Sequence, residues 1–229
     1  MIKVLYEDNH LLCIEKPINM PAQPDSSHDA SVLDVCKSYL RETYAKKGNV
    51  FCAPVHRLDR PVGGVMVLAR TSKAASRLSE TIRTHRMVKT YLAVLDGIPH
   101  EKEGTLTDYL YKDAACNRVS VVDAAHGKKA FLSYRVLSEQ DGKALVAVTL
   151  GSGRSHQIRV QFASRNLPLV YDQRYNLHTQ KGPIALWAWR LEFPHPVTKE
   201  NIRIAALPPE RDPWNVFERK LYEKGKPIG

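Results

Sequence analysis

An α+β fold built on a mostly antiparallel or mixed sheet is what this sequence predicts. Three observations carry that reading: many short apolar runs of strand length, only a few stretches of helical periodicity, and no regular alternation between the two. A doubly wound parallel sheet would require that alternation. With 43% hydrophobic and 25% charged residues, close to globular averages, the 229 residues suffice for a buried core.

In chain order, IKVLYEDNHLLCIEKP (residues 2–17) reads as two short strands joined by a turn at Glu7-Asp8-Asn9 and ending at Pro17. A loop with Pro21, Pro24 and Ser26 follows. From Ser31, the residues Val32, Val35, Cys36, Tyr39 and Leu40 recur at helical spacing, with Ser31 or Asp29 as the cap. The run GGVMVLART is compact and apolar and suits a central strand. SKAASRLSETIRTHRM predicts an amphipathic helix with Ala75, Leu78 and Ile82 inward and Lys73, Arg77, Arg83 and Arg86 on a basic face. Strands then dominate: KTYLAVLDG, NRVSVVDA, KAFLSYRVLSE, KALVAVTLGSG, ALWAWRLEF and NIRIAAL. One short helix interrupts them at SHQIRVQFASRN, with Ile158 and Phe162 inward and His156 and Arg159 sharing another face. No linker, repeat or low-complexity segment divides the chain, so residues 1–229 are expected to form one domain, in which two lobes remain compatible, with a polar tail frayed after about residue 222.

A net charge of +10 and a pI near 9.5 favour a polyanionic partner, nucleic acid before a membrane surface. Cys13, Cys36, Cys52 and Cys116 form no C-x-x-C pair and read as buried, reduced thiols. The N-terminus lacks the apolar core of a signal peptide, and no apolar run approaches the roughly 18 residues that span a bilayer, so a cytoplasmic protein is expected. His56, His85, His156, His178 and His195 show no metal-ligand spacing and no acidic cluster accompanies them; no metal is expected. Ser155 precedes His156 without a G-x-S-x-G context.

Two segments concentrate chemistry. In VHRLDRPVGG, Asp59 stands between Arg57 and Arg60, and nearby opposite charge keeps a carboxylate ionised. Nucleophile, general base and structural ion-pair partner all fit that pattern. In GSGRSHQIR, two glycines permit a tight turn, Arg154 and the helix start after it suit a phosphate, and Arg159 suits a carboxylate or phosphate; a solvated basic helix end fits equally. The segment is no P-loop, lacking the G-K-[ST] ending. Tyr91 in KTYLAV is either a packing residue or a surface for a nucleobase.

Together these segments resemble the pseudouridine synthases of the RluA type, which modify ribosomal or transfer RNA. The resemblance runs from VLYEDNHLLCIEKPINMPAQP through VHRLDRPVGGVMVLART, KTYLAVLDG, GSGRSHQIRVQFAS and PLVYDQRY to WRLEFPHPVTKE. It implies a pseudouridine synthase catalytic fold, with a long, bent, mixed sheet, flanking helices and a central cleft. It also implies that Asp59 is the essential aspartate, that Arg57 enters the space left by a flipped base, that Tyr91 stacks on the uracil and that Arg159 is the basic partner of the aspartate. His56, Arg60, Arg154 and His156 fall in the same motifs as RNA-contacting candidates, and Lys73, Arg77, Arg83 and Arg86 offer a basic surface. The implied partner is RNA, ribosomal or transfer, with no cofactor, no membrane and nothing demanding more than a monomer. Two departures stand out: Pro61-Val62-Gly63-Gly64 where Thr-Ser-Gly is frequent, and Tyr171 where glycine is common. The first catalytic strand is expected from Ile2, which leaves no room for the small N-terminal RNA-binding domain many relatives carry. A non-catalytic RNA binder on the same fold is the alternative; a metal-dependent nuclease lacks its acidic cluster.

Overall fold

The computed structural model describes residues 2–223 as two compact units, one of residues 2–89 and 188–206, the other of residues 90–187 and 207–223. The strands are β1 (Lys3–Glu7), β2 (Leu11–Lys16), β3 (Ala53–Pro54), β4 (Gly63–Ala69), β5 (Val88–Leu95), β6 (Glu103–Asp113), β7 (Arg118–Val122), β8 (Lys128–Gln140), β9 (Lys143–Leu150), β10 (Leu186–Pro194) and β11 (Asn201–Ala205). The helices are α1 (Val32–Thr43), α2 (Ser72–Arg83), α3 (Gln157–Ala163) and α4 (Lys220–Glu223), with a 3-10 turn at Trp214–Val216. Beyond residue 223 the tail lies outside the described residues. Among the described residues no helix is long and apolar enough to cross a membrane.

In the first unit the strand order is β1-β2-β4-β10, with β3 also on β4 and β11 on β10. β4 is buried along its whole length, which is why it reads as an unbroken apolar run rather than an alternation. One face of β2 and β4 presents Leu12, Ile14, Met66 and Leu68 to Val32, Cys36 and Leu40 of α1. Burying Val32 and Leu40 there stabilises the unit by roughly 1.5–3 kcal/mol each. Ser31, not Asp29, caps α1: its Oγ accepts from Asp34 N–H at 3.2 Å, while Asp34 Oδ2 accepts from Ser31 N–H at 3.1 Å. α2 is rotated slightly from expectation, burying Ala74, Leu78 and Thr81 rather than Ala75 and Ile82. Thr81 tolerates burial because its hydroxyl donates to Arg77 O at 2.9 Å.

The second unit pairs its strands in the order β5-β9-β8-β6-β7. Every pairing described there is antiparallel. β6 was not expected: only Leu106 and Leu110 of its eleven residues are buried, so a polar majority hides the period of two. α3 covers Leu110, Val119 and Ala130 with Val160. It begins at Gln157 and buries nearly all its residues, Arg159 included, while Arg154 before it stays exposed. Cys116 is exposed, unlike the other three cysteines, because it sits in the turn between β6 and β7; all four are free thiols.

Candidate active site

The segment that carries Asp59 is fastened from below by Lys16. Position 16 lies on the same side of β2 as Leu12 and Ile14, so its side chain points inward, and it is fully buried. Nζ donates to three carbonyls: Pro17 at 2.8 Å, Arg60 at 3.0 Å and Val62 at 2.8 Å. Three donors meet three acceptors, so no buried hydrogen-bonding capacity is wasted. Burial pushes the Lys16 pKa down to about 7, and the Asp59 charge pulls against that shift. Val62 N–H closes the turn onto Asp59 O at 2.9 Å, and Asp59 itself is partly, not fully, buried.

Two neighbours complete this perch. His56 Nε2 accepts from Val67 N–H at 3.1 Å, which puts the imidazole proton on Nδ1. Part of the residue's area stays exposed, but Nδ1 itself is buried and without a partner among the described residues. Burial, with Lys89 adding like charge, pushes the His56 pKa down to about 3. Gly64 has φ +115°, and a Cβ there would lie 2.2 Å from Ala188 O. Gly64 is therefore a position only glycine fills, where the strand begins beneath the turn.

The flanking cations behave differently from each other. Arg57 is exposed. Arg60 turns its guanidinium to the preceding loop, bonding Asp29 and Ser27 Oγ, the latter at 2.8 Å, with the Asp25 carboxylate a looser ion-pair partner at 3.8 Å. On α2, Lys73 is exposed, Arg77 donates to Pro196 O at 2.9 Å, and Arg83 forms a two-pronged pair with Glu80 at 2.7 and 2.8 Å. Arg86, just past the helix, donates to Thr84 Oγ1 at 3.0 Å.

Tyr91, Arg154, His156 and Arg159 stand in the second unit. Tyr91 sits in β5 opposite Val148 of β9 and is 8% exposed. In the glycine loop, Gly151 lies under the exposed Phe131 ring, which a Cβ there would meet at 2.0 Å and have to displace. Gln157 ties this loop together, its Oε1 accepting from Arg154 N–H at 3.0 Å and Ser152 Oγ at 2.9 Å. One of the amides suited to a phosphate is thus already engaged. Arg159 is buried against Asp172, with Nε to Oδ2 at 2.8 Å and Nη2 to Oδ1 at 2.7 Å. Its Cζ lies 5.2 Å from the centre of the Tyr175 ring, and Tyr175 Oη lies 2.9 Å from His156 Nδ1. His156 takes a left-handed conformation, φ 50°, at the helix entry.

The sequence profile described as RNA pseudouridylate synthase matches residues 10–164, more than half of the chain and including Asp59, Tyr91 and Arg159. The chain belongs to the RNA pseudouridylate synthase family. It is 32% identical over 228 residues to the ribosomal large subunit pseudouridine synthase D of Xanthomonas campestris, covering 91% of this chain and 66% of that protein. An uncharacterized RNA pseudouridine synthase of Bacillus subtilis is also 32% identical, over 91% of this chain and 73% of its own length. Human RNA pseudouridylate synthase domain containing 4 has the same fold, with a TM-score of 0.76 at 23% identity over 90% of this chain and 88% of that one. Human RNA pseudouridylate synthase domain containing 1 gives 0.74 at 20% identity, over 91% and 84%.

Lys16 and Asp172 escaped the sequence reading. For Lys16 a signal existed, since period two along LLCIEK assigns it to the inward face. Asp172 lay in PLVYDQRY, a segment of the resemblance, but nothing in the sequence tied it to Arg159, thirteen residues away across a turn.

Proposed function

We propose that this protein converts specific uridines in structured RNA to pseudouridine, with Asp59 as the residue on which the reaction depends. The observation that carries the reading is the Asp59 turn, clamped through its carbonyls by a fully buried lysine, in a chain of the RNA pseudouridylate synthase family. A mere binder of polyanions gains nothing from bracing a turn that carries a carboxylate, since that charge repels phosphate.

The reaction balances within one nucleotide. The N1–C1′ bond breaks, the uracil turns, a C5–C1′ bond forms, the C5 proton leaves and N1 takes one up. A uridine in a helix must first be extruded, which costs a few kcal/mol unless it already lies in a loop. Arg57, exposed beside the turn, suits the space the base vacates. Tyr91 supplies a face for the uracil, a contact of about 1–3 kcal/mol. The resemblance assigns Arg159 the role of the cation that serves the carboxylate. Asp59 acts at the sugar, either by attack on C1′ or by taking the neighbouring C2′ proton to give a glycal. The RNA is ribosomal or transfer RNA, bound through the basic surface with affinity falling by a log-log slope of about 0.7–0.9 per phosphate contacted.

The test is pseudouridine mapping of total RNA from cells with and without the gene, and from a strain rescued with Asp59→Asn. Sites lost on deletion and restored only by the wild type establish the activity and identify the substrate. Restoration by Asp59→Asn removes Asp59 from the role. No changed site, with RNA binding retained in vitro, gives the non-catalytic binder instead.

A further inference from the structure

Arg159 is held more tightly than a cation needs to be for charge alone. Asp172, with no exposed surface, takes its Nε and Nη2 side-on in two parallel bonds of 2.8 and 2.7 Å. The carboxylate is itself fixed: Asp172 Oδ1 also accepts from Arg174 N–H at 3.0 Å and Tyr175 N–H at 3.3 Å. The Tyr175 ring lies against the guanidinium, 5.2 Å from centre to Cζ. Tyr175 Oη accepts from Val119 N–H at 2.9 Å and is hydrogen-bonded to His156 Nδ1 at 2.9 Å. One edge of the guanidinium and one face are therefore occupied, and the Nη1 donors point away from Asp172. A buried pair of this kind is weak as a stabilising device, because desolvating both charges offsets most of their attraction. Its value is orientation, since a two-pronged pair fixes a plane that a single contact leaves free to turn.

We infer that Asp172 is a positioning residue for the reaction: it acts through Arg159, setting the direction in which the Nη1 donors are presented, with Tyr175 fixing the plane. The inference rests on the proposed role of Arg159. Preorganised donors act without reorganisation at the moment of reaction, and a displacement of about 1 Å can cost 10²-fold in rate.

The experiment uses total RNA from a strain lacking the gene, labelled with uridine tritiated at C5, and follows tritium release in single turnover at increasing enzyme concentration. Asp172→Asn is expected to lower the limiting rate about 100-fold, with the half-saturating enzyme concentration changed less than about threefold. Asp172→Glu keeps the charge but displaces the guanidinium; its melting temperature should recover toward wild type while the rate stays at least about tenfold down. A purely structural pair would recover both together, and recovery of the rate overturns the inference. If Asp172→Asn does not fold, Asp172→Glu carries the same decision.

Adding Asp172→Asn to Arg159→Ala closes the cycle. If Asp172 acts through Arg159, the double variant matches Arg159→Ala within about threefold; losses that multiply overturn the inference. Wild-type turnover in Arg159→Ala overturns it by removing Arg159 from the reaction. That result is distinguishable from failure of the activity itself, which Asp59→Asn decides independently.

Discussion

Lys16 and Val62 are joined by a buried hydrogen bond of 2.8 Å, from the end of β2 to the turn that carries Asp59. The same ammonium holds Arg60 O and Pro17 O at part-buried positions, so one side chain satisfies three carbonyls at once. Lys16→Met fills similar volume but leaves those acceptors unpaired, at about 1–3 kcal/mol for each that stays buried, partly offset by no longer burying a charge. The expected outcome is a net loss of about 2 kcal/mol in urea unfolding and a fall of at least about tenfold in tritium release. A variant with full activity would separate the clamp from the chemistry.

His56 makes the first unit sensitive to acid. Its folded pKa is about 3, against 6.5 for the free side chain. Below pH 6.5 the unfolded chain takes up a proton that the folded state refuses, so the His56 contribution is complete above about pH 6.5 and is lost as pH falls toward 3. Between pH 7 and 4.5 the loss is on the order of 2 kcal/mol. His56→Gln, whose Oε1 can still accept from Val67 N–H, lacks that titration. Urea midpoints of both proteins at pH 7 and 4.5 check this: the wild type should drop by more than the variant. Equal drops would mean that His56 is protonated in the folded state.

The fold was largely legible because its signals are local. Val32, Cys36 and Leu40 announce α1 through spacing, and the unbroken run of β4 announces a central strand. β6 was missed because its outward residues are polar and two leucines four apart suit a helix as well as a strand. The resemblance supplied Asp59, Tyr91 and Arg159, while the residues that hold such groups stayed hidden. A lysine at a strand end ordinarily reaches water, and Lys16 is buried only because a loop more than forty residues further on brings two carbonyls to it. For Arg159 a carboxylate or phosphate partner and a solvated helix end stood equal in the sequence, because the carboxylate it pairs with is supplied by a turn outside its own helix.

Gly64 offers a sharp test of backbone fit. A methyl group there would sit 2.2 Å from Ala188 O and 2.7 Å from Ala188 N, both backbone atoms that cannot swing aside, at φ +115°. Steric overlap and an unfavourable conformation add, so Gly64→Ala is expected to destabilise by more than about 4 kcal/mol, or to leave the protein insoluble. Gly142→Ala is the control for conformation without crowding, since at φ +72° it meets nothing within 4 Å. Its cost should be near 1 kcal/mol. Similar midpoints for the two variants would show that β4 can shift away from Ala188.

Tyr171 stands in the left-handed region, φ 61°, a conformation that favours glycine. Its ring covers Gly182, whose Cβ would come within 2.7 Å of it, and its hydroxyl bonds Asp212. The side chain's contacts thus offset an unfavourable backbone. This fixes the sign of a comparison that normally runs the other way. At an ordinary position alanine is more stable than glycine, because glycine gains more freedom on unfolding. Here both substitutions lose the ring and the hydroxyl, and only alanine keeps the left-handed penalty. Tyr171→Gly should therefore be the more stable of the two by about 1 kcal/mol in urea unfolding. If Tyr171→Ala is the more stable, the turn before Asp172 does not hold this conformation in solution.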